Sequence, residues 1–373
     1  MTIVLKLSIA ALALAAVACA EKTPTAPAKA PASAAKPAAP ATSAAPSAPA
    51  TAAPGIDPTR LATFQPLPES VESPTNPLTP AKIDLGRQLF FEKRVSKSGE
   101  LSCNSCHGLN TYGVDGKQFS VGDKKQLGGR NSPSVYHAAG HFVQFWDGRA
   151  ADVEAQAKGP VLNPVEMAMK DGPAVEKVLK GIPGYVEGFK KAFPDAKEPV
   201  TFDNFAMAIG AFERKLMTPS RWDKFLKGDK TALTAEEMAG FNAFFDAGCG
   251  ACHSGPYLGG SMYQKLGIVK AWPLPADPKA TPDEGRFAIT KVETDKGFFK
   301  VPSLRNIEKT APYFHDGSVA NLDEAVKMMG TYQLGRELTP EQVKGIVTFL
   351  KVLTGDLPGE YIAEPTLPDG KVK

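Results

Sequence analysis

The sequence predicts a mainly α chain of two domains, each folded around its own copy of one five-residue motif. Three observations lead there. Cys103-Asn-Ser-Cys106-His107 and Cys249-Gly-Ala-Cys252-His253 repeat a C-x-x-C-H pattern and start 146 residues apart, about one domain's length. Helix-start signals are frequent, whereas alternating strand patterns are sparse. The 373 residues are enough to bury two cores.

From the N-terminus, Lys6 precedes an apolar run from Leu7 to Ala18. That run is too short to span a bilayer with ease and suits a signal peptide over residues 1–20, so export to the periplasm is expected. Ala16-Val17-Ala18-Cys19 resembles a lipobox, in which Cys19 carries a lipid anchor. Ala18-Cys19-Ala20 fits cleavage before Glu21 as well, and both readings stay open. Residues 21–56 are rich in Ala and Pro, with too few large side chains to offset their ordering entropy, and read as a disordered tether. A first domain is expected over 57–216 and a second over 217–354. A C-terminal tail, 355–373, is expected to pack back on the first.

Within the domains the caps are explicit. Thr79-Pro80 supplies an N-cap and first helical position ahead of Leu85, Leu89 and Phe90. Thr234 and Glu237 form a capping box, with Met238, Phe241 and Phe245 on one face, and that helix runs into the second motif. Thr339-Pro340 and Gln342 open another, with the stripe Val343, Ile346, Val347, Leu350 and Leu353 and Gly355 as its stop.

C-x-x-C-H is the attachment pattern of a c-type haem. Its two thiols add to the vinyl groups of one porphyrin, and the next imidazole lies against the iron. A thioredoxin-like pair would need a βαβ context and no His after each copy. A single zinc would join pairs far apart in the chain and leave both His residues unexplained. Of five cysteines only Cys19 lies outside the motifs. The fold class is therefore mainly α, two cytochrome c-type domains each enclosing one covalently bound haem. A net charge of +3, no P-loop and no basic block leave no case for a nucleic-acid partner.

An electron-transfer haem has two protein ligands, whereas a catalytic haem keeps one side open. Beyond the proximal pair the candidates are His137, His141, His315, Met328 and Met329. The two methionines adjoin in a helical stretch, 322–329, so they point about 100° apart and only one reaches a given iron. Spacing does not choose between them.

Further motifs then carry a resemblance. Arg130-Asn131-Ser132-Pro133, Phe145-Trp146-Asp147-Gly148-Arg149, Gln156-Ala-Lys-Gly-Pro160, Asn163-Pro-Val-Glu166-Met167 and Ala311-Pro-Tyr-Phe-His315, in order with both haem motifs, are similar to those of the bacterial dihaem cytochrome c peroxidases over roughly residues 60–355. The resemblance implies reduction of hydrogen peroxide to water. It makes His107 the proximal ligand of a peroxidatic haem, and His253 and Met329 the ligands of an electron-storing haem. Trp146 becomes a bridge between the haems, Glu166 the acid/base, and Gln156 the group that orients peroxide. It implies a Ca2+ site from the Asn131 side chain and the carbonyls of Thr310 and Pro312. A small c-type cytochrome or cupredoxin as donor, and a homodimer, follow from the same resemblance. Two haems suit the chemistry, because splitting the O–O bond heterolytically takes two electrons at once.

The chain departs from the family in one place. Many members block the peroxidatic iron with a histidine in the loop before the Arg-Asn motif, and here Asp123 stands at that position. A carboxylate is a poorer haem ligand than imidazole. The expectation is a first haem that rests open and needs little reductive activation. The competing expectation gives the blocking role to His137 or His141, while His315 keeps a supporting role near the second haem. A pure electron carrier would instead fill both sixth positions. Protein-oxidising relatives carry Tyr where this chain has Met329.

Overall fold

In a computed structural model, residues 55–273 and 281–370 are described. The expected signal peptide, Cys19 and all but the last two residues of the tether lie outside the described residues.

The first core is built by five helices: α1 (Pro80–Phe91), α2 (Val153–Leu162), α3 (Gly172–Lys180), α4 (Pro183–Ala192) and α5 (Phe202–Glu213). Thr79 caps α1 as the sequence predicts, its side chain accepting from the Lys82 N–H. Leu85 and Leu89 then face Phe189, Phe205 and Ile209 in one cluster. The α1–α5 contact requires Gly86, since a Cβ there would lie 1.9 Å from the Ala208 carbonyl oxygen.

The second core repeats the device. Helix α6 (Ala235–Ala247) carries the Thr234–Glu237 capping box, and α8 (Pro340–Val352) the Thr339–Gln342 box; α7 (Leu322–Met328) lies between them in sequence. Helices α6 and α8 meet at two glycines, where a Cβ on Gly240 would sit 2.3 Å from the Gly345 oxygen. Trp222, Phe241, Phe244 and Phe349 fill the centre, and burying each such side chain contributes about 1.5–3 kcal/mol. Phe64, although it precedes the first core in sequence, packs edge-on against Trp222 at 5.8 Å.

Two sequence expectations are corrected here. Helix α8 stops at Val352 with Leu353 as its cap, so Gly355 is not the stop; it is demanded by a close approach, where a Cβ would meet the Thr218 oxygen at 2.0 Å. Helix α7 ends at Met328, and the chain continues as a π-helical turn, Met329–Leu334.

The tail reaches the first half. Ile362 clusters with Phe90, Phe91 and Phe212, and the Tyr361 hydroxyl donates to the Phe212 carbonyl at 2.6 Å. Strands β1 (Tyr263–Lys265) and β2 (Phe298–Lys300) form an antiparallel pair with Tyr263 opposite Lys300. Between the cores, the buried Arg305–Asp223 ion pair (2.6 Å) also receives the Leu67 N–H on Asp223 at 2.7 Å. A charge pair with its remaining lone pairs satisfied in this way is the form in which buried ions are tolerated.

Candidate functional site

Both motifs stand on the wall of one internal cavity of about 790 Å3. A capping box between Ser102 and Ser105 starts the single turn Cys103–Cys106, which delivers both thiols to that wall. In the second half Gly248, at φ 99°, ends α6 and throws the chain into the turn Cys249–Ala251. Burial pushes the thiols of Cys103 and Cys106 up, and that of Cys249 to about 12, so they are thiols rather than reactive thiolates.

The imidazoles are arranged alike. Nδ1 of His107 lies 3.3 Å from the Gly113 carbonyl, and Nδ1 of His253 lies 3.1 Å from that of Leu258. Each residue is half-buried, and burial pulls the ring's pKa below the ordinary value, so it is neutral. A neutral imidazole that donates from Nδ1 to a carbonyl keeps its Nε2 lone pair for a metal. Two thiols and one such imidazole at each end of a largely apolar cavity fit two haems.

Four polar side chains share the cavity wall with the first motif. Glu166, Asn163, Gln156 and Arg149 all line it. Asn163 stays three residues before Glu166 in a tight turn, and its amide donates to Glu166 Oε1 at 2.7 Å. Burial raises the Glu166 carboxyl above its ordinary range, against the lowering effect of Asn163 and the Arg149 charge. The loop carrying Asp123 docks on this segment through its backbone. The Asp123 N–H donates to the Glu166 carbonyl at 2.8 Å, and the Gln126 amide donates to that of Pro164 at 3.2 Å. Asp123 is buried and is not on the cavity wall.

Leu304, Leu322, Val326, Leu350 and Met329 line the same cavity as the second motif. The π-helical turn begins at Met329, which lines the cavity, while Met328 does not. Between the two ends, the Trp146 indole N–H donates to the Asn131 carbonyl at 2.9 Å, and the Trp146 carbonyl accepts from the Lys300 N–H at 2.8 Å. The tryptophan thus touches a first-half loop and a second-half strand. The Asn131 N–H in turn donates to the His315 carbonyl at 2.8 Å, and the His315 ring packs on Phe299 at 4.3 Å. Thr310 and Pro312 line the same cavity as Asn131.

Neither alternative histidine sits as a first-haem ligand. Nε2 of His137 is 3.0 Å from the Thr218 hydroxyl, away from the cavity wall. His141 lines the cavity but packs against Tyr257 and Gly260, just beyond the second motif. The sequence reading missed Asn163, Arg149, Glu213, Lys300 and the Arg130 clasp. The last pairs Arg130 with Asp147 and with Asp283 at 2.6 Å each, joining the two halves beside Trp146. Only Asn163 had a local signal, an Asn-Pro turn three residues before the carboxylate.

Residues 80–231 match the family described as di-haem cytochrome c peroxidase. Over 309 residues the chain is 48% identical to the cytochrome c551 peroxidase of Pseudomonas aeruginosa, covering 82% of this chain and 88% of that one. The chain belongs to the di-haem cytochrome c peroxidase family. Its similarity to the cytochrome c551 peroxidase of Nitrosomonas europaea is as high, 49% over 299 residues, or 79% of this chain and 86% of the other. Among solved structures, a MauG-like protein associated with microbial copper homeostasis superposes with a TM-score of 0.71 at 29% identity, covering 80% of this chain and 97% of that one. Membership makes this chain an oxidoreductase of the peroxidase class that carries two haems.

Proposed function

We propose that this chain reduces hydrogen peroxide to water at the first motif, with electrons stored at the second. The observation that carries the reading is Glu166: a half-buried carboxyl, held by Asn163, on the same cavity wall as Cys103, Cys106 and His107. The haems, attached through Cys103 and Cys106 and through Cys249 and Cys252, supply peroxide binding at one iron and electron storage at the other.

The chain's own groups handle the protons. Glu166, as carboxylate, accepts the proton of one peroxide oxygen and returns it to the other, so that water is the leaving group. Asn163 fixes the direction of that carboxylate, and Gln156 orients the peroxide from α2. Partial burial raises the Glu166 pKa from the ordinary carboxylate value, which strengthens it as a proton acceptor. At the other end the Met329 thioether, with His253, raises the potential of the storing haem. Trp146 provides the packed path between them. With Asp123, a carboxyl residue set back from the wall, where a blocking histidine is expected, a haem held at the first motif would meet no imidazole from this loop, and the oxidised enzyme would need little reductive activation.

Calcium would be held by Asn131 Oδ1 and the carbonyls of Thr310 and Pro312. The Asn131 amide nitrogen is taken by the Lys117 carbonyl at 2.9 Å, which leaves its oxygen as the group that could meet a cation, and oxygen donors are what this cation prefers. The donor is read as a small c-type cytochrome or cupredoxin, the assembly as a homodimer and the location as periplasmic, with Cys19 as the candidate anchor.

The test is peroxide-dependent oxidation of a reduced small cytochrome c by the holo-protein and by Glu166→Gln. Turnover lost in the variant supports the reading. No turnover in wild type, with normal electron exchange, would make the chain an electron carrier instead.

A further inference from the structure

Three cationic side chains are buried among the described residues: Arg214, Arg305 and Lys300. Two are paired, Arg214 with Glu154 at 2.8 Å and Arg305 with Asp223 at 2.6 Å. Lys300 is different. Its side chain is enclosed on the cavity wall, and among the described residues no carboxylate lies within ion-pair distance. Its one polar neighbour is His141 Nδ1, 3.2 Å from the ammonium.

His141 is unfinished too. Burial and the adjacent Lys300 hold its pKa well below the ordinary value, so the ring is neutral. A neutral ring that accepts from the ammonium at Nδ1 carries its hydrogen on Nε2. That Nε2 is buried and has no protein partner. The position is built rather than incidental. The Lys300 N–H is fixed to the Trp146 carbonyl at 2.8 Å, and Gly260 leaves room that a Cβ, 2.2 Å from His141 Cδ2, would close. Burial lowers the Lys300 pKa only to about 8, so the ammonium remains the main form at neutral pH.

An unpaired ammonium and an unpaired N–H side by side on the wall of an apolar cavity call for an anion with two acceptor oxygens. A haem brings two carboxylates and an otherwise apolar ring. His141 packs against Tyr257 and Gly260, which follow Cys252 and His253 closely, and Lys300 precedes the Pro302 backbone that faces His253. We infer that Lys300 and His141 bind a propionate carboxylate of the haem held at the second motif, and so set that haem's potential. The inference rests on the reading that haem fills the cavity, and it does not depend on peroxide turnover.

The experiment is a spectroelectrochemical titration of both haems in the holo-protein, comparing wild type, Lys300→Met, Lys300→Arg and His141→Gln. Loss of a cation beside a propionate favours the more positive, oxidised iron. Lys300→Met is therefore expected to lower the midpoint of the methionine-ligated haem, Lys300→Arg to restore most of it, and His141→Gln to shift it less. If Lys300→Met does not accumulate, Lys300→Gln carries the same expectation. Two haems with unchanged midpoints, or a shift confined to the first haem, would overturn the inference. Failure of wild type to attach two haems would overturn the cofactor reading beneath it.

Discussion

The two C-x-x-C-H motifs share one cavity, one five-residue pattern and one Nδ1-to-carbonyl contact of the imidazole, yet the rest of the lining is of two kinds. It holds the polar set Glu166, Asn163, Gln156 and Arg149, and Met329 with the apolar Leu304, Leu322, Val326 and Leu350. Under the proposed function the two sets would do different work, an acid/base with an amide partner serving proton transfer and a thioether among apolar side chains serving electron storage. The attachment motif is common to both, so on that proposal the division of labour would come from segments remote from it.

The comparison breaks most sharply at Glu166. Glu166→Gln should lower kcat about 10²- to 10⁴-fold while both haems and both midpoints are retained. A variant with full turnover would remove the distinction between the ends. Next, Met329→His should drop the midpoint of the second haem by on the order of 100 mV, within the span that axial ligands command, while Met328→Leu leaves it alone. A smaller effect is expected from Asn163→Leu, roughly tenfold in kcat/KM. Because the Asn163 amide lowers the Glu166 pKa, its loss should raise that pKa, so the carboxylate is protonated at higher pH and the acid limb of the rate profile moves upward. For the loop, fully oxidised and half-reduced enzyme should turn over at equal initial rates in stopped-flow. A lag present only in the oxidised form would restore a blocked first haem.

The smallest effect concerns α5. Glu213 is buried beside Cys103, and burial raises its carboxyl from 4.5 to about 8. The folded state holds that proton longer than the unfolded chain does. Its contribution is intact below the ordinary carboxylate range and is lost as pH rises toward 8. Glu213→Gln should match wild type in melting temperature at pH 5 and exceed it above pH 8, by roughly 1–3 kcal/mol in stability.

Much of this was legible before any coordinates. Thr79, Thr234 and Thr339 mark their helices because a hydroxyl three residues ahead of an exposed N–H is a local interaction. The C-x-x-C-H motifs were legible for the same reason, whereas Glu166, Gln156 and Met329 were singled out only by the resemblance to the family. Gly355 shows the limit. Its position suggested a helix stop, and its cause is a distant backbone at Thr218. Met328 and Met329 could not be separated from spacing, because the choice depends on where an α-helix loosens into a π-helical turn against the rest of the fold.

The two C-x-x-C-H motifs and the helical class of the chain are written in adjacent residues, since each follows from chemistry within a few positions. Which methionine meets the cavity was settled by the fold, and which histidine is spoken for by Thr218 and which buried cation lacks a carboxylate were settled only when residues 81 and 159 positions apart came within 3.0 and 3.2 Å. Burial and pairing are properties of neighbours in space, and the order of residues along a chain does not specify those neighbours until the chain has folded.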